Sequence, residues 1–332
     1  MTNTEERAET SAVILRGVND ENLAAMVAEC MEFMDWRSLV KPGATVVLKP
    51  NCCTAIEYKW QMSNTDPRIA EAVCRVLRER TEKIFIVESD GLREQAWPAF
   101  DVSGYRKLEK ELGATLVNLS ESEAVEMELP SCGRVKLPRL MLECDVFITL
   151  PVLKTHALTY FTGALKNQWG CVPQYDRILL HRYLHQMLGE LHEVFKPVMA
   201  IMDGIIAMEG RGPTNGKARR MDLLLASRDS VALDATAMRL VGLDPRRCEH
   251  VVYAADRLHL GRWKESEIQV DGDWKRHATQ FEPAILDAAI GAMDYMSRYR
   301  WFVKYMLEQN YIFYPIRALV QLLRRIGVVE GG

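Results

Sequence analysis

Residues 145–156 read DVFITLPVLKTH, and this segment decides the predicted fold. Its first half, 145–150, has the length of a buried strand, and every residue after Asp145 is apolar or β-branched. Pro151 interrupts the run, and Lys154 and His156 follow at alternate positions. Because an extended backbone points alternate side chains to the same side, we expect these two groups to face one site.

Five further apolar runs predict strands, and helical patterns lie between them. The predicted strands are 45–48, 83–87, 115–119, 198–202 and 221–226, and the predicted helices are 67–78, 104–112, 177–195 and 230–240. Asp66 and Asp229 occupy N-cap positions, and Pro67 is the first helical residue. This alternation predicts an α/β fold with a mostly parallel sheet flanked by helices.

The chain divides into a predicted α/β domain, 1–281, and an amphipathic helical tail, 282–332. Between Tyr295 and Tyr314 the tail contains eight aromatic residues: Tyr295, Tyr299, Trp301, Phe302, Tyr305, Tyr311, Phe313 and Tyr314. Six basic residues accompany them: Arg298, Arg300, Lys304, Arg317, Arg324 and Arg325. We expect two helices broken at Pro315. Three roles fit this composition: packing on the core, a homodimer interface, or contact with an anionic membrane surface.

Composition excludes several classes of protein. The 332 residues are 48% hydrophobic, enough for a large core, and the net charge of −3 provides no global field for nucleic acid. The eight cysteines contain no C-x-x-C pair, the first ten residues do not resemble a signal peptide, and no uncharged apolar run reaches the roughly 18 residues of a membrane span. We expect a cytoplasmic protein with reduced thiols and no nucleic-acid partner.

Polar residues follow four of the predicted strands. They are Lys49 with Asn51, Glu88 with Ser89, Lys154 with His156, and Asp203. In open parallel sheets, ligands bind outside the carboxyl ends of the strands. The four clusters together therefore predict a cleft at that edge, with Lys49, Asn51 and Glu88 as substrate-binding residues.

Residues 162–170, TGALKNQWG, add two candidates to this cleft. Thr162 and Gly163 fit the start of a helix that carries Lys166 and Asn167. Ammonium groups, an imidazole and a carboxamide can hold a carboxylate, a phosphate or a polarised carbonyl. We expect Lys154, Lys166 and His156 to be catalytic, with His156 as the acid/base because histidine titrates near neutrality, and Asn167 to bind substrate.

A glycine-rich loop is predicted at 203–216, DGIIAMEGRGPTNG. Gly210 and Gly212 permit close approach of an anion to the backbone, although the spacing fits neither a dinucleotide-binding fingerprint nor a P-loop. Asp203 and Glu209 are candidate ligands for a divalent metal ion. Cys52, Cys53 and Cys171 adjoin the candidate clusters and are reactive thiols, soft metal ligands or packed side chains.

The chain resembles the uncharacterised family called domain of unknown function 362 over about 46–261. The matching blocks are LKPN (48–51), TDP (65–67), DV (145–146), LP (150–151), KTH (154–156), TGALKN (162–167), Gly170, DG (203–204), MEG (208–210), GP (212–213), Gly216, AS (226–227) and DSVALD (229–234). Many members of the family look like iron–sulfur proteins because a ferredoxin module rich in C-x-x-C spacings is attached. This chain has no such module, so we expect no integral iron–sulfur cluster. The resemblance implies shared lysine, histidine and acidic positions but no particular reaction.

Two classes of function fit these residues. The first is an enzyme that acts on a small anionic or carbonyl-bearing molecule, by proton transfer or by redox chemistry with an external electron-carrier protein. The second is a non-catalytic protein that binds an anionic ligand or cofactor. The second class needs the same lysines but no group that transfers a proton.

Overall fold

The computed structural model describes residues 10–92, 95–286 and 288–325. The strands in these ranges are β1 (Ser11–Gly17), β2 (Val46–Pro50), β3 (Ile84–Glu88), β4 (Thr115–Asn118), β5 (Ala124–Leu129), β6 (Gly133–Pro138), β7 (Val146–Leu150), β8 (Val152–His156), β9 (Tyr160–Phe161), β10 (Met199–Glu209), β11 (Lys217–Ser227) and β12 (Ile268–Asp271). β5 and β6 form a separate antiparallel pair.

The helices surround the main sheet. They are α1 (Leu23–Phe33), α2 (Trp36–Leu39), α3 (Trp60–Ser63), α4 (Pro67–Leu77), α5 (Ala96–Ser103), α6 (Arg106–Leu112), α7 (Arg139–Glu143), α8 (Ala164–Asn167), α9 (Leu184–Phe195), α10 (Ser230–Leu240), α11 (Glu249–Asp256), α12 (Trp274–His277), α13 (Ala288–Ser297), α14 (Arg300–Phe302) and α15 (Asn310–Arg325). A 3₁₀ segment, Arg177–Tyr183, precedes α9, and a π-helical turn, Val303–Leu307, follows α14.

The main sheet has the strand order β12-β1-β11-β10-β7-β2-β3-β4. The pairs β4–β3, β3–β2, β2–β7 and β7–β10 are parallel, whereas β11 is antiparallel to both β10 and β1. After a break at Pro151, the chain continues from β7 into β8, which also pairs parallel to β10. The predicted α/β fold with a mostly parallel sheet is confirmed.

Apolar side chains cover both faces of the sheet. Leu48, Ile148 and Ile201 lie in a buried cluster with α1, α4 and α5. Val47 and Phe147, one residue away along the same strands, lie in the cluster that includes α9. Such burial on both faces explains why β2 and β7 read as continuous apolar runs instead of alternating patterns.

Helix starts follow the predicted caps. The Asp66 carboxylate accepts a hydrogen bond from the Arg68 amide, and Pro67 is the first residue of α4. The Asp229 carboxylate accepts from the Ala232 amide at the start of α10. Both caps satisfy amides that have no partner within the first turn of a helix.

The largest correction to the predicted fold concerns 203–216. β10 does not end at 202 but continues to Glu209, because Ile206–Glu209 pair with the start of β11. The true connection between β10 and β11 is therefore short, from 210 to 216. The glycine-rich pattern indicated a loop, and the cross-strand pairing that lengthens the strand lies outside that local pattern.

The tail also differs from its prediction. α15 continues through Pro315, so the helices are not broken there; the interruptions lie at 298–299 and 308–309. Pro315 is the sixth residue of α15 and removes only one backbone hydrogen bond, at the edge of the first turn. Val303 and Leu307 are buried, and a hydrogen bond joins Tyr175 to Glu308. In the described part of the chain, no helix is both long enough and apolar enough to cross a bilayer.

Candidate functional site

A buried ion pair forms the floor of the candidate site. Lys49 Nζ donates to Glu88 Oε2 at 2.7 Å and to the Pro50 carbonyl at 2.7 Å. The Glu88 carboxylate also accepts from the amides of Cys52 and Ser89. A Cβ atom on Gly170 would lie 2.4 Å from Glu88 Oε1 and 2.8 Å from Lys49 Nζ, so the absence of a side chain there leaves room for the pair.

This arrangement corrects the role predicted for Lys49 and Glu88. Lys49 is completely buried, Glu88 is 4% exposed, and each neutralises the other. Their charges are therefore not available to a ligand from solvent. The pair instead fixes the backbone that follows β2 and β3, on which the site is built.

Lys154 occupies the next position above this floor. Its ammonium donates to Asn51 Oδ1 at 2.5 Å, to the Ser63 carbonyl at 2.7 Å and to Cys53 Sγ at 3.1 Å. None of these three partners is a carboxylate. Lys154 is 1% exposed. Its charge is therefore stabilised by the dipoles of these neutral partners and not neutralised by an anion.

Two asparagines connect the lysines. Asn51 Nδ2 donates to Asn167 Oδ1 at 3.2 Å. Asn167 Nδ2 donates in turn to the Lys49 carbonyl at 2.8 Å and to Thr149 Oγ1 at 2.9 Å. The structure thus brings Asn51 and Asn167 together, and their amides mainly bond each other, Lys154, Thr149 and the backbone.

Asp234 holds the short helix α8 in place, and sequence reasoning gave it no role. Its two carboxylate oxygens accept from the amides of Ala164, at 2.7 Å, and Leu165, at 3.1 Å. A Cβ atom on Gly163 would lie 2.1 Å from Asp234 Oδ1, so this approach requires glycine. Burial raises the pKa of Asp234 to about 7. An aspartate within the apolar pattern of α10 was the available signal.

Lys166, at the third position of α8, is the most perturbed lysine. Burial, followed by the nearby charge of Lys154, lowers its pKa to about 7. Arg177 adds a smaller repulsion. Within the described ranges, the Lys166 ammonium has neither a hydrogen-bond acceptor nor a carboxylate partner. It is therefore available to a ligand in a way that Lys49 is not.

His156 lies at the end of β8 and does not titrate where histidine usually does. Its Nδ1 accepts from the amides of Leu158, at 3.1 Å, and Thr159, at 3.3 Å, which places the proton of the neutral ring on Nε2. Burial lowers its pKa well below the usual value, and the charges of Lys166 and Lys154 lower it further. At neutral pH His156 is consequently a hydrogen-bond donor through Nε2, whereas the pKa of Lys166 is about 7.

The predicted anion-cradling glycines have a different function in the fold. The Gly210 amide donates to the Glu282 carbonyl at 2.9 Å, and the Gly212 amide donates to the Gly210 carbonyl at 2.8 Å, so neither is free for an anion. Thr155 Oγ1 donates to the Gly210 carbonyl. A Cβ atom on Gly212 would lie 1.8 Å from the Thr155 carbonyl oxygen. These glycines allow the 210–216 loop to pack directly against β8.

Asp203 and Glu209, predicted as ligands of one divalent metal ion, do not lie together in the structure. They stand six residues apart on β10, roughly 20 Å along an extended strand. Asp203 accepts from the amides of Asp66 and Ile205, on the face with α1 and α4, and burial raises its pKa to about 7. Glu209 accepts from the Glu282 amide. Residues 10–92, 95–286 and 288–325 contain no group of three or more histidine, cysteine, aspartate or glutamate side chains that could hold a metal ion.

The three cysteines near the site differ in exposure. Cys52 and Cys171 are buried, and burial raises the pKa of Cys52 well above its usual value and that of Cys171 to about 12. Both therefore pack as apolar side chains. Cys53 is half-buried beside the Lys154 ammonium and lies within the site.

The sequence model of the family described as Domain of unknown function (DUF362) matches residues 46–239, which include every residue of the site just described. The chain belongs to this family. The matched region begins at β2 and ends within α10, so the DUF362 core comprises the carboxyl edge that holds Lys154, Lys166 and His156.

One curated relative is the thylakoid-associated protein sll1697 of Synechocystis sp. It is 32% identical over 215 residues, which is 63% of this chain and 66% of the relative. The DUF362 chain thus spans slightly less than two thirds of that protein's length. Two solved structures are more distant: a lactate racemase apoprotein from Thermoanaerobacterium thermosaccharolyticum and a protein from Thermotoga maritima. The lactate racemase apoprotein has a TM-score of 0.41 at 10% identity, and the match covers 67% of this chain and 55% of that chain. The Thermotoga maritima protein has a TM-score of 0.38 at 13% identity, and the match covers 64% of this chain and 56% of that chain.

Proposed function

We propose that this DUF362 protein is an enzyme that binds a small anionic or carbonyl-bearing molecule at Lys154 and Lys166 and transfers a proton on it. The observation that carries the proposal is the charge balance of the cleft. Lys49 has its own carboxylate, whereas Lys154 and Lys166 have none within the described residues. A bound anion would supply the missing negative charge and remove the repulsion between the two ammonium groups.

The titrating groups favour proton transfer over simple storage of a ligand. A lysine with a pKa of about 7 is an effective acid and base at neutral pH, because both protonation states are well populated. His156 presents an Nε2–H donor that can polarise a carbonyl oxygen. A storage protein would need neither property.

The binding part of the proposal is tested by thermal shift at constant ionic strength. We expect sodium phosphate, malonate or pyruvate to raise the Tm relative to chloride. Lys154→Met and Lys166→Met should lose most of that increase, whereas Lys264→Met, which changes an exposed lysine, should keep it. A Lys166→Met variant that retains the full increase would contradict the proposal.

Hydrogen–deuterium exchange into the ligand distinguishes catalysis from storage of that ligand. In D₂O, an enzyme that removes a proton next to a carbonyl incorporates deuterium into the methyl group of pyruvate, which NMR detects. We expect the exchange to require Lys166 and to fall at least about 10-fold in Lys166→Met. Pyruvate binding without exchange, and with an affinity that is indifferent to His156→Asn, would favour the non-catalytic alternative.

Peripheral membrane binding is a second candidate property, because the tail exposes aromatic side chains. We name as the tail surface Tyr295, Tyr299, Trp301, Tyr305 and Tyr311, all at least 44% exposed. The exposed Arg298, Arg300 and Lys304 lie among them. This mixture fits the interface of an anionic bilayer, and a relative carries the name thylakoid-associated protein.

Vesicle sedimentation tests this second candidate. We expect the full-length protein to pellet with vesicles containing phosphatidylglycerol more than with phosphatidylcholine alone. The double variant Trp301→Ser/Tyr305→Ser should pellet less, whereas Tyr58→Ser, an 82% exposed tyrosine outside the tail, should behave as wild type. Equal pelleting of both variants with wild type would remove the tail surface from consideration.

A further inference from the structure

Three lysines lie at the carboxyl edge of the sheet, and they are held very differently. Lys49 donates to a carboxylate and a carbonyl, and Lys154 donates to an amide oxygen, a carbonyl and a thiol. Lys166 makes no such bond in the part of the chain that the structure describes. The Lys166 nitrogen therefore makes no hydrogen bond that stabilises the fold within those residues, although contacts on both sides hold the Lys166 backbone in place.

Placement of Lys166 depends on two independent contacts. Asp234 fixes the amides at the start of α8, and Asn167, the next residue along, is bonded to Asn51, Thr149 and the Lys49 carbonyl. The backbone of Lys166 is thus held from both sides, while its amine has no acceptor among the described residues. A nucleophilic lysine requires this combination of a fixed backbone and an amine that is available to react.

We infer that Lys166 is a nucleophile that forms a Schiff base with the carbonyl carbon of a small anionic aldehyde or 2-oxo acid. This inference rests on the proposed function and narrows its substrate class. The three N–H groups of Lys154 already have acceptors, so its ammonium would attract the carboxylate of such a molecule through space, with a charge that its neutral acceptors and the Cys53 sulfur do not cancel.

The reaction balances with groups already in the cleft. The Lys166 nitrogen lone pair forms a C–N bond, the carbonyl π electrons move to oxygen, and that oxygen takes a proton to give a carbinolamine. Loss of the nitrogen proton and of the hydroxyl group, protonated as it leaves, releases one water and forms the C=N bond. The two protons that the Lys166 nitrogen loses are the two that the oxygen gains, transferred through solvent, and His156 Nε2–H stabilises the oxygen by a hydrogen bond. No oxidant or reductant is consumed.

The protonation state of Lys166 supports this chemistry. Burial and the charge of Lys154 lower its pKa to about 7, so about half of the amine is neutral at pH 7. An exposed lysine, with a pKa near 10.4, is neutral in roughly one molecule in 2,500 at the same pH. Repulsion from nearby cations is a known means of activating a lysine for Schiff-base formation.

Reductive trapping on the wild-type protein tests the inference. Glyoxylate is added with sodium cyanoborohydride at pH 7 for a short time, and peptide mass spectrometry measures the carboxymethyl group on each lysine. We expect Lys166 to be labelled at least about 10-fold faster than the exposed Lys264. The Lys166 rate should level off above about pH 7 to 8, whereas the Lys264 rate should continue to rise.

Labelling of Lys166 no faster than that of Lys264 would overturn the inference. Because the measurement uses wild-type protein, it does not depend on a variant that folds. Malonate, an anion without a reactive carbonyl, separates the two proposals. If malonate raises the Tm through Lys166 while glyoxylate does not label it preferentially, the Schiff base is wrong and anion binding stands; if both fail, both proposals are wrong.

Discussion

Lys49 Nζ and Glu88 Oε2 lie 2.7 Å apart, with both side chains buried beneath the cleft. The pair joins the ends of two adjacent parallel strands, β2 and β3, across 39 positions of sequence. Removing one partner of such a buried pair lowers the free energy of unfolding by more than the intact pair contributes, since it leaves an unpaired charge without solvent.

We therefore expect Glu88→Gln to destabilise the protein by about 3–5 kcal/mol. Glutamine has nearly the same shape, so the loss reports the missing charge and not a cavity. Urea unfolding monitored by circular dichroism measures it. The matched control is Glu71→Gln, which breaks an exposed pair with Arg75 and should cost at most about 1 kcal/mol. Equal losses for the two variants would contradict the assigned role.

The 210–216 loop should be intolerant of a single methyl group. In Gly212→Ala the new Cβ atom would meet the Thr155 carbonyl oxygen at 1.8 Å, and that oxygen belongs to the backbone of β8. We expect a lower Tm and weaker anion binding, because the loop must move away from the strand that carries Lys154. Gly17→Ala is the control, since its Cβ atom would meet nothing within 4 Å. Unchanged binding in Gly212→Ala would show that the loop does not shape the cleft.

Anion affinity should depend on pH through Lys166. Its pKa of about 7 means that the ammonium form, which attracts an anion, is lost as pH rises through 7. The dissociation constant for malonate should therefore increase between pH 6 and pH 9, by at most about 10-fold per pH unit. Isothermal titration calorimetry measures it. Lys166→Met should bind weakly with little pH dependence, and Lys166→Arg should remain charged and keep its affinity at pH 9.

The contributions of Asp203 and Asp234 to stability should fall as pH rises from about 4 to 7. Burial raises the pKa values of Asp203 and Asp234 from 3.8 to about 7, so between these values the folded state binds more protons than the unfolded state. Each group then contributes stability at low pH that is lost as pH rises through 7, at up to about 1.4 kcal/mol per pH unit.

Asp203→Asn should flatten this dependence. The amide can accept from only one of the two backbone amides that Asp203 satisfies, so the variant should be less stable than wild type at pH 5. The difference should shrink or reverse at pH 8, where the wild type carries a buried charge. Urea midpoints at both pH values measure it, and a constant difference would show that Asp203 has an ordinary pKa.

Most of the framework was predictable from local sequence. The apolar runs at 45–48, 83–87 and 145–150 predicted the central parallel strands, and Asp66 and Asp229 predicted two helix starts. The residues after those strands and the segment 162–170 were predicted to line one cleft, and in the structure Asn51 contacts both Lys154 and Asn167. These inferences succeed because strand length, apolar pattern and capping are encoded over a few residues.

The roles of individual side chains were not predictable in the same way. Lys49 is the lysine that is neutralised because Glu88, 39 positions away, reaches it. The start of α8 is capped by Asp234, which lies 70 positions from Ala164 in the sequence. The separation of Asp203 from Glu209 depends on how far β10 extends. The pKa of His156 depends on burial and on Lys166, neither of which its own sequence neighbours reveal.

Gly170 places a restriction on how this protein can change. The position that its side chain would occupy is already filled by Glu88 and Lys49, at 2.4 Å and 2.8 Å. Any larger residue at 170 thus becomes tolerable only after one of the pair has been shortened, and shortening one alone leaves the other charge stranded. The three positions can be replaced together but not in arbitrary order. The effect of each substitution therefore depends on which residues already stand at the other two positions.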